Sequence, residues 1–327
     1  MVTESDEIED FLGEVELRKV YVANDQHGGR LDRALVDAAP EFSRSYLQQL
    51  IEAGLVCVNT KVVCKASSRV KAGDALLIEL RPTPQSQAFA PQPMDLELVF
   101  EDEHLLVINK PAGLVVHPAP GNWSGTLLNG LLAYDKGMAS VPRAGIVHRL
   151  DKDTSGLMVV ARSRTVMDTL VQAIAAREVS RQYLAIAHRP WTGSPHRTVE
   201  APIGRDPRNR LRMAVVDLEK QSGKSAKTDF ILLSNGNDGC LVKCILHTGR
   251  THQIRVHMAS LGHPLVADTV YGGTCLPLMS RQALHATHLA FVHPVTRQSL
   301  VFRAPPPNDL VSLQQFLGLR YNEALQA

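Results

Sequence analysis

Residues 148–156, HRLDKDTSG, place a carboxylate, Asp151, inside a cluster of turn-forming residues between two apolar runs. The run AGIVHRL before it and the run GLMVVA after it each have the pattern of a buried strand, which predicts that Asp151 lies on the loop between them. A loop held by a rigid sheet is a common position for a catalytic side chain. A simple turn is the alternative, because Asp, Thr, Ser and Gly are all favoured in turns. The spacing alone leaves both interpretations open.

A second motif follows about a hundred residues later, in TGRTHQIRVHM. It predicts a helix over about residues 252–261, with Thr251 as its N-cap and Gly262 as its stop. Arg255 projects from the first turn of this helix, next to apolar positions. A buried guanidinium needs a carboxylate partner to offset its desolvation, and Asp151 is a candidate for that partner. The histidines of this helix lack a third ligand at zinc spacing, so we expect no metal site here.

Two further signals are weaker. Tyr183, in RQYLAIA, stands near the start of a predicted strand, where a tyrosine is ordinarily a core residue. The chain has five cysteines, and Cys240 and Cys244 lie inside the apolar run CLVKCIL. Without a second ligand pair, this spacing favours buried thiols over a zinc site, and it implies no disulfide framework.

Length and composition bound the class of protein. At 327 residues, the chain exceeds the length at which single cores usually divide, so we expect more than one domain. No window is apolar enough for a membrane-spanning helix. The first residues lack the basic and apolar segments of a secretory signal, and we therefore expect a cytoplasmic protein. Residues 1–17 carry seven acidic and no basic side chains, so the net charge of +2 leaves +9 on the rest, which favours a polyanionic partner.

The pattern divides the chain into four parts. Residues 1–17 are expected to form an acidic flexible tail, and residues 18–80 a small α+β domain of two short helices followed by short strands. Residues 81–94, RPTPQSQAFAPQPM, have the composition of a linker. Residues 95–327 alternate many strand-like runs with few helices, which predicts an α+β domain with a mixed, mostly antiparallel sheet and argues against a doubly wound fold.

Basic side chains are concentrated on the small domain. They form either a solvated surface or a contact face for nucleic acid, and charge alone does not decide between the two. The candidates for docking RNA are Arg30, Arg33, Arg44 and Lys61.

The order of elements in "RLDRAL…FSRSYLQQLIEAGLVCVN…VKAGDALLIEL" resembles the small RNA-binding module of the ribosomal protein S4 type. The larger domain resembles the RluA/RluD-type pseudouridine synthases. The likeness runs from about residue 96 to residue 306 and rests on HRLDKDTSG, RQYLAIA and TGRTHQIRVHM, together with VINKPAGLVVHP, GKSAKT and RQALHA. It implies a pseudouridine synthase fold with an S4-like RNA-binding domain before it.

The resemblance also implies the reaction and the roles of residues. The enzyme would isomerise uridine to pseudouridine in large-subunit (23S) ribosomal RNA, with the helix 69 stem-loop as the expected target. Asp151 would act on a uridine that has left its stack, either as a nucleophile on the sugar or the ring, or as a base that produces a glycal. Arg255 would pair with Asp151, and Tyr183 would stack on the base. Arg149 would help to extrude the nucleotide.

Lower-ranked RNA contacts are predicted at His148 and Arg250. The resemblance further implies ribosomal RNA or the precursor of the large subunit as the partner. From the sequence we also expect no metal, no cofactor and no membrane association, and we take a monomer as the default oligomeric state. The rival hypotheses are a paralogous synthase that modifies other uridines of ribosomal or transfer RNA, and a catalytically silent RNA-binding or ribosome-assembly factor. The intact set of Asp151, Tyr183 and Arg255 favours the enzyme.

Overall fold

The structure is a computed structural model that describes residues 16–40, 42–80, 86–119, 121–209 and 212–320. The chain divides into two compact units, residues 1–88 and residues 89–327. Each unit has its own hydrophobic core. Within the described ranges, no helix is both long and apolar enough to cross a membrane.

The small unit packs two helices against a four-stranded sheet of order β1-β4-β2-β3. Ser43 caps the second helix, since its hydroxyl accepts a hydrogen bond from the backbone N–H of Tyr46, as the sequence predicts. The inward-facing residues Leu31, Leu35, Leu47 and Ile51 are fully buried. The elements are β1 (Glu16–Tyr21), α1 (Leu31–Ala38), α2 (Arg44–Glu52), β2 (Val56–Val58), β3 (Lys61–Val62) and β4 (Ala75–Leu80).

The expected acidic tail, residues 1–17, overlaps the first strand of the structure at its C-terminal end. Residues 1–15 lie outside the described residues, but Glu16 and Leu17 pair with β4 in the first strand. That strand was not predicted, because Leu17 is 65% exposed at the sheet edge and its segment therefore carries no buried apolar pattern. Within the stretch predicted as a linker, residues 86–89 form a short 3-10 helix.

The large unit is built on a nine-stranded sheet. Its order is β5-β6-β7-β15-β8-β14-β13-β9, with β16 paired to β15. Among the described strands of this sheet, the pairs are antiparallel except β7 with β15. The predicted mixed, mostly antiparallel α+β sheet is therefore confirmed. The strands are β5 (Leu98–Glu101), β6 (Leu105–Lys110), β7 (Ser155–Ala161), β8 (Ser180–His188), β9 (His196–Glu200), β13 (Lys227–Asn235), β14 (Gly239–Leu246), β15 (Leu284–Val292) and β16 (Ser299–Arg303). A separate three-stranded sheet joins β10 (Ile203–Arg205), β11 (Met213–Val215) and β12 (Gly223–Lys224).

The middle of the large sheet is covered on both faces. All seven residues of β7 are buried, and its alternate side chains enter two different apolar clusters. The helices of this unit are α3 (Leu127–Tyr134), α4 (Arg164–Ala176), α5 (Gln253–Ser260) and α6 (Asn308–Phe316). Helix α4 forms where the apolar spacing predicts it, with Val166 and Leu170 buried, but Val171 is 43% exposed.

One predicted strand is absent from the described structure. The run before Asp151 forms a 3-10 helix over Pro142–Gly145 followed by a single bridge between Ile146 and Val160. Pro142 lacks a backbone N–H and Gly145 has a φ of +72°, which limits regular strand pairing there. The run is apolar because it packs on β7, not because it extends the sheet.

Candidate active site

The three predicted catalytic side chains line one cavity of about 490 Å³ in the large unit. Asp151 comes from the loop before β7, Tyr183 from β8, and Arg255 from α5. The cavity is lined by the ends of β8, β14 and β15, by the first turn of α5 and by the end of α4. A cavity of this size can receive one nucleotide.

Backbone contacts fix the loop that carries Asp151. The Lys152 carbonyl accepts hydrogen bonds from the Gly113 N–H (2.9 Å) and from Nζ of Lys110 (3.0 Å). The Asp153 carbonyl accepts one from Arg281 (3.0 Å). A turn bond from the Thr154 N–H to the Asp151 carbonyl closes the loop. The loop is therefore held on both sides of the carboxylate.

The backbone conformation and close packing of Gly156 explain why the motif HRLDKDTSG ends in glycine. Its φ is +116°, and a Cβ there would collide with the carbonyl oxygen of Ala286 on β15. Only glycine allows the close parallel approach of β7 and β15 directly after the loop. The turn-forming composition and the candidate catalytic role are thus both properties of the same short segment.

Helix α5 begins at Gln253, and the predicted capping role of Thr251 is wrong. His252 occupies the N-cap position with a φ of +58° and makes no capping bond. The side chain of Gln253 instead ties the start of the helix to the preceding loop and to β13, because its Oε1 accepts from the Arg250 N–H (2.9 Å) and its Nε2 donates to the Lys227 carbonyl (3.0 Å). Gly262, with a φ of +83°, follows the end of the helix as predicted.

Arg255 joins two carboxylates. Its Nη1 lies 3.1 Å from Oδ2 of Asp151, and its Nε and Nη2 donate to Asp268 at 2.7 and 2.8 Å. The Arg255 side chain is 7% exposed and that of Asp268 is 1% exposed. Burial by itself would lower the pKa of Arg255, but Asp268 and then Asp151 raise it well above its usual value. The predicted contact with Asp151 is present, and the fork to Asp268 fixes the plane of the guanidinium.

The histidine and the tyrosine beside this pair are neutral. His252 lies 3.9 Å from Asp151, and burial lowers the pKa of His252 despite the nearby carboxylate. Nδ1 of His252 is 2.8 Å from the hydroxyl of Tyr271, whose ring lies under the Arg255 guanidinium at 5.0 Å. The cation that contacts Asp151 is therefore Arg255 and not His252.

Tyr183 is 5% exposed, and burial raises its pKa to about 12. It is consequently a phenol at neutral pH, suited to stacking or hydrogen bonding rather than to action as a phenolate base. Its strand neighbour β15 has a β-bulge between Ala286 and His288, directly opposite this residue. Such bulges locally change the twist of a sheet beside a site.

The three predicted base-flipping residues occupy different environments. Arg149 is exposed and lines the cavity. Arg250 also lines it, although its Nε donates to the Ser225 carbonyl (3.0 Å). His148 accepts a hydrogen bond from the Val159 N–H (3.1 Å), and burial lowers its pKa to about 3. A neutral imidazole held by the backbone fits a structural role better than a phosphate contact.

The predicted docking residues lie in the small unit. Arg30 and Arg44 both bind the buried carboxylate of Asp32, at 2.9 and 2.7 Å. Hydrogen bonds from Arg30 hold the pKa of Asp32 far below its usual value. Arg33 is exposed on α1, and Lys61 is exposed on the β2–β3 hairpin. The structure thus brings Arg30 and Arg44 together, and no bond in the described part of the chain links Lys61 to them.

The described part of the chain contains neither a metal-binding cluster nor a disulfide. The described residues contain no group of three or more His, Cys, Asp or Glu side chains placed to hold a metal ion. Cys240 and Cys244 are free, buried thiols of the main core, and burial raises the pKa of Cys240 to about 12.

Family models match both units. Residues 104–260 match the RNA pseudouridylate synthase model, and residues 29–76 match the S4 domain model. The chain is 47% identical over 305 residues to the ribosomal large subunit pseudouridine synthase D of Neisseria meningitidis serogroup B, covering 89% of this chain and 79% of that protein. The chain belongs to the RluA-type RNA pseudouridine synthases. The synthase is therefore an isomerase with an S4 RNA-binding domain.

Another relative and a solved structure also match the chain as pseudouridine synthases. The synthase is 42% identical to the ribosomal large subunit pseudouridine synthase D of Escherichia coli K12, over 92% of this chain and 94% of that protein. Among solved structures, human RNA pseudouridylate synthase domain containing 1 matches with a TM-score of 0.51 at 25% identity, covering 69% of this chain and 97% of that one.

Sequence reasoning missed Asp268, Tyr271 and Lys110. Asp268 could have been found, because a helix arginine among apolar residues needs a carboxylate and "GHPLVADTVYGG" contains one. Lys110 carries no such signal, since its three acceptors, at 2.7 to 3.0 Å, are backbone carbonyls that only the folded chain assembles.

Proposed function

We propose that the synthase isomerises uridines of large-subunit (23S) ribosomal RNA, at the helix 69 stem-loop, and that Asp151 acts on the extruded nucleotide. The names of the relatives from Neisseria meningitidis and Escherichia coli support the large-subunit substrate, because both describe a ribosomal large subunit enzyme. One observation carries the proposal: Asp151 lies in a nucleotide-sized cavity and is bound there by the buried guanidinium of Arg255.

Each residue has a proposed task. The Asp151 carboxylate attacks the sugar or the ring, or abstracts a sugar proton, and the contact with Arg255 holds it in position. The uracil then turns so that its C5 faces the sugar carbon, and the C5 proton is released after the new bond forms. The aromatic ring of Tyr183 provides a flat surface for the base, and its phenol stays protonated at neutral pH. Arg149 occupies the space that the target leaves in the RNA stack.

The S4 domain docks the RNA in this proposal. Arg30 and Arg44 are held by Asp32 with their forks fixed, and Arg33 is an exposed cation on the same helix region. Arginine forks match phosphate geometry, and phosphate contacts position a protein without reading sequence. We therefore assign docking to residues 18–80 and chemistry to residues 95–327, with 81–94 as the linker between them.

The test is pseudouridine mapping. Purified synthase is incubated with large-subunit RNA, and modified positions are located by chemical probing. We expect pseudouridine in the helix 69 loop and none when the loop uridines are replaced by cytidines. Modification confined to another loop or to transfer RNA would support the paralogous synthase. RNA binding without any pseudouridine would support the catalytically silent factor instead.

A further inference from the structure

Arg181 is a buried cation of the cavity that the proposed roles leave unexplained. It lies on β8, is 6% exposed and lines the same cavity as Asp151. Its Nε is buried and has no hydrogen-bond partner among the described residues. No carboxylate in the described part of the chain lies within ion-pair distance of it, unlike Arg255 with its two partners. Burial of a guanidinium without an acceptor is costly, so an unpartnered one in a cavity indicates a missing ligand group.

The surroundings of Arg181 add no acceptor. One of its terminal nitrogens lies against the loop that precedes α5, since a Cβ on Gly249 would stand 2.8 Å from Nη1. His148, which also lines the cavity, has a buried Nδ1 without a partner, while its Nε2 accepts the Val159 N–H. In the neutral ring that nitrogen carries the proton. The cavity wall therefore has two buried donors, Arg181 and His148, that find no acceptor among the described residues.

The position of Arg181 indicates which part of a nucleotide it meets. Arg181 and Tyr183 are two residues apart on a strand, so their side chains share one face and stand about 7 Å apart along it. Tyr183 is the proposed platform for the base, which puts Arg181 at the edge of the same ring. Exposed arginines at 149 and 177 line the cavity as well, and they suit hydrated phosphates better than a cation that is 94% buried.

Resting on the proposed function, we infer that Arg181 binds a carbonyl oxygen of the target uracil and stabilises the negative charge that the ring acquires during the reaction. When the bond from the sugar carbon to N1 breaks, its electron pair moves to the uracil and spreads over N1, O2 and O4. Attack on the ring likewise moves an electron pair to O4. The charge is withdrawn when C5 bonds to the sugar carbon and its proton leaves, so no electrons are gained or lost. A fixed cation at the ring edge lowers the barrier because it needs no reorganisation.

The test compares R181Q with the wild type on two RNAs, one with uridine and one with 5-fluorouridine at the target position. Conversion of the target nucleoside is followed in single turnover by chromatography of digested RNA. The product is pseudouridine from uridine, and from 5-fluorouridine it is the C-glycoside that keeps fluorine on C5, because that carbon has no proton to release. We expect R181Q to slow conversion of uridine by roughly 100-fold, the effect of removing one such donor, with the Kd for RNA within threefold of wild type. Fluorine withdraws charge from the ring, so the defect should shrink to less than about tenfold with 5-fluorouridine, and R181K should lie between R181Q and wild type.

The matched control is R303Q, which removes the same charge from an exposed arginine of β16 outside the cavity lining and should convert both substrates at the wild-type rate. Thermal unfolding checks that each variant is folded. If R181Q does not fold, R181K, which retains the positive charge, takes its place in the comparison. An equal defect of R181Q on both nucleosides, or a defect only in the Kd with a shallower salt dependence, would overturn the inference and make Arg181 a structural or phosphate-binding residue. Absence of pseudouridine with the wild type would instead refute the proposed function.

Discussion

At the scale of single residues, the site depends on one guanidinium between two carboxylates. Arg255 donates through Nη1 to Asp151 and through Nε and Nη2 to Asp268. The sequence predicted the first contact, because a buried arginine needs a carboxylate partner and Asp151 of HRLDKDTSG was the candidate for it. It did not predict the second. Asp268 follows α5 through an irregular segment, and turn residues there have no periodicity that indicates a direction.

The substitution Asp268→Asn tests whether Asp268 positions Arg255 and, through it, Asp151. The amide cannot accept both bonds of the fork, so Arg255 loses its fixed plane and Asp151 loses its aim. Breaking such a buried pair costs about 3–5 kcal/mol of stability, and we expect the single-turnover rate to fall by at least about tenfold with unchanged RNA affinity. Stopped tritium-release assays and urea unfolding measure both effects. A folded D268N enzyme with the wild-type rate would exclude this positioning role.

At the scale of elements, a buried lysine holds the Asp151 loop to the end of β6. Nζ of Lys110 donates to the carbonyls of Pro111, Leu114 and Lys152, and the side chain is 1% exposed. Burial lowers its pKa to about 8, although the charges of Asp153 and Asp151 oppose the effect. The strand itself was predictable from its apolar run, whereas this contact depends on three carbonyls brought together by folding.

Lys110→Met should loosen the loop without touching the RNA. The substitution leaves three buried carbonyls short of a donor, so the Asp151 loop should open more often. We expect the amide of Gly113, which bonds to the Lys152 carbonyl, to exchange hydrogen faster, and the modification rate to fall by about tenfold. The exposed Lys136 supplies the control K136M. Identical exchange at Gly113 in K110M and wild type would contradict the clamp.

The junction between β7 and β15 should make stability sensitive to acid. His285 on β15 is 1% exposed, its Nδ1 lies 2.9 Å from the hydroxyl of Ser155, and burial lowers its pKa to about 4. The unfolded chain takes up this proton below pH 6.5, whereas the folded chain resists it until about pH 4. Stability is therefore lost as the pH falls through that window, by up to about 3 kcal/mol from this group.

The contribution of His285 can be isolated with H285Q, which cannot titrate. Urea unfolding at pH 7 and at pH 4.5 should give a smaller acid loss for H285Q than for the wild type, whatever the stability of the variant at pH 7. Other buried histidines act equally in both proteins and cancel in the difference. Equal acid losses would mean that His285 is protonated as readily in the folded state as in the unfolded one.

At the scale of the whole molecule, the sequence was sufficient for the fold class and the family but not for the edges of each unit. The helices α1, α2 and α4 follow their apolar spacing, because each buries one stripe. The exposed strand β1 was not predicted, because its partner β4 is distant in sequence. The run before Asp151 was wrongly predicted as a strand, because it is apolar from packing on β7. The site could be predicted as a set of residues, and its geometry required the folded sheet.

The proposed division of labour predicts separable effects on affinity and rate. Arg33 is exposed on α1, so R33Q should leave stability within about 0.5 kcal/mol of wild type. We expect weaker RNA binding with a salt slope smaller by about 1, and an unchanged rate at saturating RNA. The control is K19Q, which removes the same charge from exposed Lys19 on β1. A lower rate at saturating RNA, with unchanged affinity, would contradict docking through this helix.

The most direct measurement is single-turnover tritium release from 5-tritiated uridine in large-subunit RNA, with D151N compared with D153N. The two substitutions remove one carboxylate each from the same loop, and both chains should bind RNA as the wild type does. We predict that D151N is slower by roughly a thousandfold or more, while D153N stays within about tenfold of the wild type. Tritium release by D151N at the rate of D153N would show that the carboxylate beside Arg255 takes no part in the chemistry.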